Sequence, residues 1–309
     1  MSEVDQHLKR LTNDTTLNVA IQAWEMYLSD KGRSPYTVKA FIGDLNLFSS
    51  FYAPDQTIGG IQTSSITLFL EWLQKGRGTS CSPKSLARRI TSIKSFFRWL
   101  QSVGVIMADP AEKVVQHSVI SPLPIVLTPV EEALVIEAAQ AYRQDSSTDA
   151  RPFTLLSLLL LTGIKKGECL EIDLNHIDFE SPTGPVLFIR YTNPSYRYKE
   201  RRLDLNKEWV EVFEEYKSQY APNEKLFPWS PRRLEYILED ISQRAGLEKH
   251  LSFDMCRWTA VLRDWQKGTD PEQIRIKLGV SSIQFRELKM KLVRLAAEQE
   301  SPFTSDLSA

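Results

Sequence analysis

The sequence predicts a mainly α-helical protein of two domains, with one small β-hairpin or sheet in the second. Three observations point there. Apolar residues recur at helical spacing through most of the 309 residues. Ser-Pro or Thr-Pro pairs open several of these segments, the hydroxyl residue capping and the proline taking the first helical position. The period switches from helix to strand in one place, "GPVLFIRYT", "NPS", "YRYKERRLDL".

The elements follow in order. Residues 15–29 carry Leu17, Ala20, Trp24 and Leu28 at helical spacing. "RSPYTVKAFIGDLNLFSSFY" starts on Ser34-Pro35 and carries the stripe Val38, Phe41, Leu45, Phe48. A third helix spans about 64–75 and stops at Gly76. The fourth, "SPKSLARRITSIKSFFRWLQ", turns Leu86, Ile90, Ile93, Phe97 and Leu100 toward a core. "HSVISPLPIVLTPVEEA" reads as an extended, proline-bearing linker entering a helix capped by Thr128. The expected domains are therefore 1–118 and 119–309. The apolar run "TLLSLLLLTGI" is too short to cross a bilayer, which needs ~20 residues, and reads as a buried helix. On the returning strand of the hairpin Arg197, Lys199 and Arg201 share a face with Leu203 and Leu205, giving a basic tip and an apolar root. In "LSFDMCRWTAVLRDW" Ser252 caps a helix whose buried stripe is Met255, Trp258 and Leu262. Asp254 and Arg257 lie three apart on another face, as a surface ion pair would. "QFRELKMKLVRLAAEQE" is a last amphipathic helix before a polar tail.

Composition narrows the function. "MSEVDQHLKR" has no apolar core and does not read as a secretory signal. Cys81, Cys169 and Cys256 are far apart, and His7, His117, His176 and His250 are scattered, so no metal site, cofactor or triad is expected. A reduced, cytoplasmic, nucleoid-associated protein fits. The net charge of −1 argues for no partner, but its distribution does. Between Glu71 and Asp109 there is no acid, while Lys75, Arg77, Lys84, Arg88, Arg89, Lys94 and Arg98 occur. Such a run is either a solvated face balanced by acids from elsewhere or a surface for a polyanion. Lys84, Arg88, Thr91, Ser95 and Arg98 form one stripe of the fourth helix, with Arg89 and Lys94 beside it, residue types that suit phosphates and base edges. The hairpin cations Arg197, Lys199 and Arg201, interleaved with Tyr191, Tyr196 and Tyr198, make a second candidate contact with a nucleic-acid backbone.

Several motifs converge on one family. "YLSDKGRSPYTVKAFIGDLNLFSSFY" and "SPKSLARRITSIKSFFRWLQSVGVIMADPAEKV" resemble the helical, SAM-like core-binding domain of tyrosine recombinases of the phage-integrase and Xer type. "LPIVLTPVEEALVIEAA", "LLTGIKKGECLEIDLNHIDFE", "YKERRLDL", "LFPWSPRRLEYILEDISQRAGL", "LSFDMCRWTA" and "IKLGVSSIQF" follow in the order of that family's α+β catalytic domain. The resemblance implies a C-shaped clamp on duplex DNA. It also implies phosphoryl transfer through a tyrosine that forms a 3′-phosphotyrosyl link, two arginines on the non-bridging oxygens, a hairpin lysine as general acid and assisting histidines.

The reacting positions depart from that pattern. "TGIKKGE" places Lys165 at the first arginine, keeping the charge but losing the two-pronged fork, with Glu168 at the usual acid. Tyr196 falls on the hairpin lysine, though a shift of register recovers Lys199. Asp254 replaces the histidine of the second arginine motif, Arg257 is kept, Val280 stands where His or Trp belongs, and Lys289 takes the nucleophile position. No tyrosine follows Tyr236 in the sequence. A lysine with an ordinary pKa near ~10.4 is mostly protonated at neutral pH and a poor nucleophile. The leading expectation is a duplex-DNA binder that does not cleave, with no catalytic residue and with Lys165 and Arg257 as a residual phosphate pocket. Two alternatives stay open: an active recombinase with unorthodox residues or partner-supplied activation, and a protein-interaction module that does not bind DNA. Residues 284–298, with Phe285, Leu288 and Leu292, are expected either to dock a homo-oligomer or another recombinase, or to pack on their own domain.

Overall fold

The computed structural model describes residues 11–79, 81–116, 122–146 and 148–300. The chain divides into two compact units, Met1–Pro122 and Leu123–Ala309. The expected boundary at 118/119, and the histidines at 7 and 117, lie outside the described residues.

Among the described residues the first unit has four α-helices: α1 Leu17–Asp30, α2 Pro35–Ser49, α3 Thr63–Glu71 and α4 Pro83–Ser102. Both proline starts are built as expected. Thr37 N donates to Ser34 Oγ and Ser85 N to Ser82 Oγ, each at 3.2 Å, satisfying end amides that no helical turn can pair. Helix α3 runs on into a single π-turn, Trp72–Gly76. The core is aromatic. Phe48 meets Phe69 edge-on at 5.0 Å, and Trp24 meets Phe96 at 5.5 Å, so α1, α2, α3 and α4 close on one another through large rings. Phe41 is only partly buried, and Ile42 takes the inward place beside Val38, Leu45 and Phe48.

The second unit opens with α5 Pro129–Ala141, α6 Arg151–Thr162 and the short α7 Lys166–Leu170. The leucine run of α6 is enclosed: Leu155, Leu156, Leu158, Leu159 and Leu160 are all buried, which a one-sided surface helix would not allow. Three antiparallel strands follow in the order β1–β2–β3, namely β1 Ile177–Asp178, β2 Val186–Ile189 and β3 Arg201–Asp204. Register pairs Leu187 with Leu203 and Ile189 with Arg201. The rest is helical: α8 Lys207–Tyr220, α9 Pro231–Arg244, α10 Phe253–Gln266, α11 Pro271–Leu278 and α12 Ser282–Glu300.

One expectation about this unit is corrected, and of two alternatives one finds support. The returning strand does not begin at Tyr196: Pro194–Lys199 is a 3-10 helix seeded by Asn193, whose Oδ1 accepts from Ser195 N at 2.9 Å, and pairing starts only at Arg201. The last helix, α12, packs on its own unit. Phe285, Leu292 and Leu295 are buried against Val261, Leu262, Ile274 and Leu278, with Leu288 partly buried beside them. Phe285, Leu292 and Leu295 are thus spent internally, while Met290 and Val293 on the same helix stay exposed.

Candidate nucleic-acid interface and anion cleft

The cleft is built on two helix ends broken by glycine. Helix α6 stops at Gly163, φ +62°, and α11 at Gly279, φ +58°. Arg257, on the first turns of α10, donates from Nη1 to the Gly163 carbonyl and from Nη2 to the Leu278 carbonyl, the latter at 3.0 Å. A guanidinium thus ties two helix C-termini whose free carbonyls carry partial negative charge. Burial holds the Arg257 guanidinium down to about 10, still charged at neutral pH. Asp254 is exposed and forms no ion pair with Arg257 among the described residues, so the expected surface pair does not exist. The helix turns Arg257 inward to acceptors that sequence spacing could not reveal.

Lys165 stands just before α7. Its own amide donates to Glu168 Oε2 at 2.8 Å, which fixes the turn after the glycine. Its ammonium is pushed below the ordinary lysine range by burial, then by Arg257, Lys199 and Arg201, with Glu168 opposing. Glu168 cannot fully offset them because it is already engaged. Arg201 donates to it twice, at 3.0 and 2.9 Å, Tyr191 donates at 2.5 Å, and the carboxyl is driven down to about 2 against the opposing cost of burial. Lys166 is separately paired with Glu235 at 2.6 Å. An open cleft of about 450 Å³ results, lined by Lys165, Arg257, His250, Ser252 and Asp254 among others. Its shape and residual positive charge suit an anion such as a phosphodiester.

Arg201 itself was expected at the DNA surface and is not there. Its side chain is 2% exposed, its Nε donates to the Lys277 carbonyl at 2.6 Å, and its face of β3 is the one that buries Leu203 and Leu205. Strand alternation that aligns Arg201 with apolar residues sends it inward with them. Lys199 lies over the Tyr196 ring, 4.4 Å from its centre, and the Tyr198 ring, at 5.2 Å. Arg197 lines a neighbouring cleft of about 510 Å³, of mixed charge, with Arg190, His176, Lys225, Glu171 and Asp173. Val280 is half-buried against the α12 cluster. Lys289 is exposed on α12, its ammonium 5.9 Å from the Trp265 ring centre, and is not among the residues lining the Lys165–Arg257 cleft. Cys169 and Cys256 are fully packed and burial pushes both thiols up, Cys256 to about 12, so neither is a nucleophile at neutral pH.

In the first unit, Lys84 and Arg98 are exposed on α4, Thr91 caps back onto the Ala87 carbonyl, Lys94 reaches the Glu112 carbonyl, and Ser95 is half-buried. The run of cations is not wholly unopposed, because Asp44 on α2 lies 2.7 Å from Arg88 and 3.6 Å from Arg89. Sequence reasoning missed the other wall. Lys39 and Asn46 of α2, and Ser50 at its end, line with the expected cations Arg77, Arg88 and Arg89 an open groove beside α2 and α4. The Lys39 and Arg77 charges were visible, but only the packing of α2 on α4 sets them beside Arg88.

A helical SAM-like unit followed by a helical unit with a small three-stranded antiparallel sheet is the two-domain architecture of the tyrosine recombinases. The chain belongs to the phage integrase family: residues 126–286 match the family itself, and residues 21–104 match the phage integrase N-terminal SAM-like domain. It is 27% identical to tyrosine recombinase XerC of Corynebacterium glutamicum over 263 residues, 83% of this chain and 82% of that one. Against XerC of Anoxybacillus flavithermus the identity is 26%, covering 85% and 88%. Its fold is similar to that of a chain in the structure of a lambda integrase dimer bound to a COC′ core site, with a TM-score of 0.69, 15% identity, and coverage of 96% and 81%. XerH site-specific recombinase bound to difH gives 0.65, 17%, 98% and 85%.

Proposed function

We propose that this protein binds duplex DNA through the α4 face and the α2–α4 groove of its first unit and through Lys165, Lys199 and Arg257 of its second, and that it does not cut the strand it holds. The binding half rests on family membership and on these two basic surfaces. The likeness to XerC tyrosine recombinases, and to lambda integrase bound to a core site and XerH bound to difH, supports duplex DNA and recombination as the setting. The inert half rests on one observation. Counted on from "LGVSS", the family's nucleophile position falls on Lys289, an exposed lysine, and the last tyrosine of the sequence, Tyr236, is on α9 with its hydroxyl accepting from Arg232 at 2.6 Å. Losing a charge-stabilising donor slows a reaction, at roughly 2.7–4 kcal/mol, whereas losing the nucleophile removes the covalent route. Arg257 and Lys165 are the groups an anion site keeps when its chemistry is gone.

The competing reading is an active recombinase, favoured by the likeness to XerC tyrosine recombinases. Suicide DNA substrates separate the two. Incubation with purified protein is expected to give a salt-sensitive complex and no protein–DNA adduct after denaturation. A covalent adduct, or strand breakage dependent on Arg257, overturns the proposal. Absence of duplex binding near physiological salt would instead favour a protein-interaction module. The biological role that fits is an accessory or regulatory DNA binder within a recombination complex, acting as a homo-oligomer or beside another recombinase.

A further inference from the structure

The groove between α2 and α4 contains a carboxylate where a DNA-facing surface has least use for one. Asp44 is 3% exposed. Its Oδ2 accepts from Arg88 Nη1 at 2.7 Å and from Ser92 Oγ at 2.8 Å, while Arg89 Nε stands 3.6 Å from Oδ1, too far to count as a hydrogen bond. Arg88 Nη1 also donates to the Ala40 carbonyl at 3.2 Å. Every one of these contacts is on one edge of the Arg88 guanidinium. Nε and Nη2 of Arg88 hydrogen-bond to no described residue, and the side chain remains 44% exposed. The guanidinium therefore has an anchored inner edge and an open outer edge. A free arginine loses much rotamer freedom when it grips a phosphate, and one already held gives up less. Arg89 is directed as well, with Nη1 on Cys81 Sγ at 2.7 Å.

We infer that Asp44 is a positioning residue for DNA binding: it fixes Arg88, through one edge of the guanidinium, so that the other edge is presented to a backbone phosphate. The inference rests on the reading of this chain as a duplex binder. It makes a sign prediction that bulk electrostatics opposes. If Asp44 were only a charge beside the DNA, neutralising it would tighten binding, because one repulsion disappears. If it positions Arg88, neutralising it weakens binding even though the surface becomes more positive.

The experiment is a double-mutant cycle on binding of a labelled duplex, followed by anisotropy across a range of salt, with wild type, Asp44→Asn, Arg88→Ala and the double variant. Circular dichroism melting checks that each is folded. Asp44→Asn is expected to lose about tenfold in affinity, the scale of one charge-assisted hydrogen bond. In the Arg88→Ala background the same change is expected to lose nothing, and Asp44→Glu to recover part of the loss. If Asp44→Asn does not fold, Arg88→Lys tests the same point, because it keeps the charge and loses the fork, and the same loss is expected. Equal or tighter binding by Asp44→Asn, additive losses in the cycle, or full affinity in Arg88→Lys overturns the assignment. A wild-type protein that binds no duplex fails the DNA reading itself, a result distinct from any of these.

Discussion

Arg201 and Glu168 face each other across the second unit as a two-pronged ion pair, Nη1 to Oε1 at 3.0 Å and Nη2 to Oε2 at 2.9 Å, with side chains only 2% and 3% exposed. The pair joins β3 to α7, and its arginine also reaches the end of α11 through the Lys277 carbonyl. Gly279 makes room for it, since a Cβ there would stand 2.6 Å from Arg201 Nη1. Arg201→Ala leaves a buried carboxylate without its partner and is expected to destabilise the second unit by about 3–5 kcal/mol. Urea denaturation measures this. A loss under about 1 kcal/mol would mean that the pair is not a structural tie.

The same pair sets an acid limit. Glu168 sits at about 2 when folded, below its ordinary 4.5. Its contribution to stability is fully present above about pH 4.5 and is lost as pH falls toward about 2, amounting to about 3 kcal/mol over that window. Glu168→Gln is expected to flatten the pH dependence of the melting temperature between those limits while lowering stability at neutral pH. An unchanged slope would show that other carboxyls govern acid unfolding.

Salt dependence distinguishes cations that touch DNA from cations that hold the fold. Converting Lys84, Arg88 and Arg98 to Glu is expected to abolish duplex binding, because phosphate contacts supply most of the affinity. Lys84→Ala alone should reduce the slope of log affinity against log salt by about 0.9. Arg201→Ala, at temperatures where it is folded, should leave that slope unchanged. A triple variant that binds as wild type removes α4 from the interface.

Helix α12 offers a stability test of what it packs on. Leu292 is buried against α10 and α11, so Leu292→Ala is expected to cost about 2–5 kcal/mol. Ile283 on the same helix is 76% exposed, and Ile283→Ser should stay within about 0.5 kcal/mol. Size-exclusion chromatography of both variants adds a second readout. A stable wild-type oligomer lost in Leu292→Ala without loss of monomer stability would return the helix to a docking role.

Thiol reactivity follows burial. Cys169 and Cys256 are sealed in the second core, while Cys81 is partly exposed. A thiol reagent is expected to modify one cysteine rapidly under native conditions, with peptide mapping placing it at Cys81. Rapid labelling of Cys256, which sits beside Arg257, would mean that the cleft opens far more than its packing allows.

Local rules carried the reading of the sequence a long way. Ser34-Pro35, Ser82-Pro83 and Ser252 started the helices they were expected to start, because a hydroxyl cap and a pre-set φ act within three residues. The leucine run was a buried helix because its length excluded a membrane span and its composition excluded a surface. The hairpin was less legible: Arg197, Lys199 and Arg201 seemed to alternate on one strand, but Asn193 and Pro194 wind the first two into a 3-10 turn.

What the sequence determined by itself was the helical architecture and the family, since periodicity, capping and order are local or linear properties. What only the tertiary structure decided was which cations remain free to meet DNA. Arg88 is held at Nη1 by Asp44 from 44 residues away while its side chain stays 44% exposed, Arg201 is enclosed with Glu168 from 33, and Arg257 is tied to two carbonyls at distant helix ends beside Lys165. A charge is neutralised by whatever the fold places within a few ångströms of it, and separation along the chain carries no record of that distance.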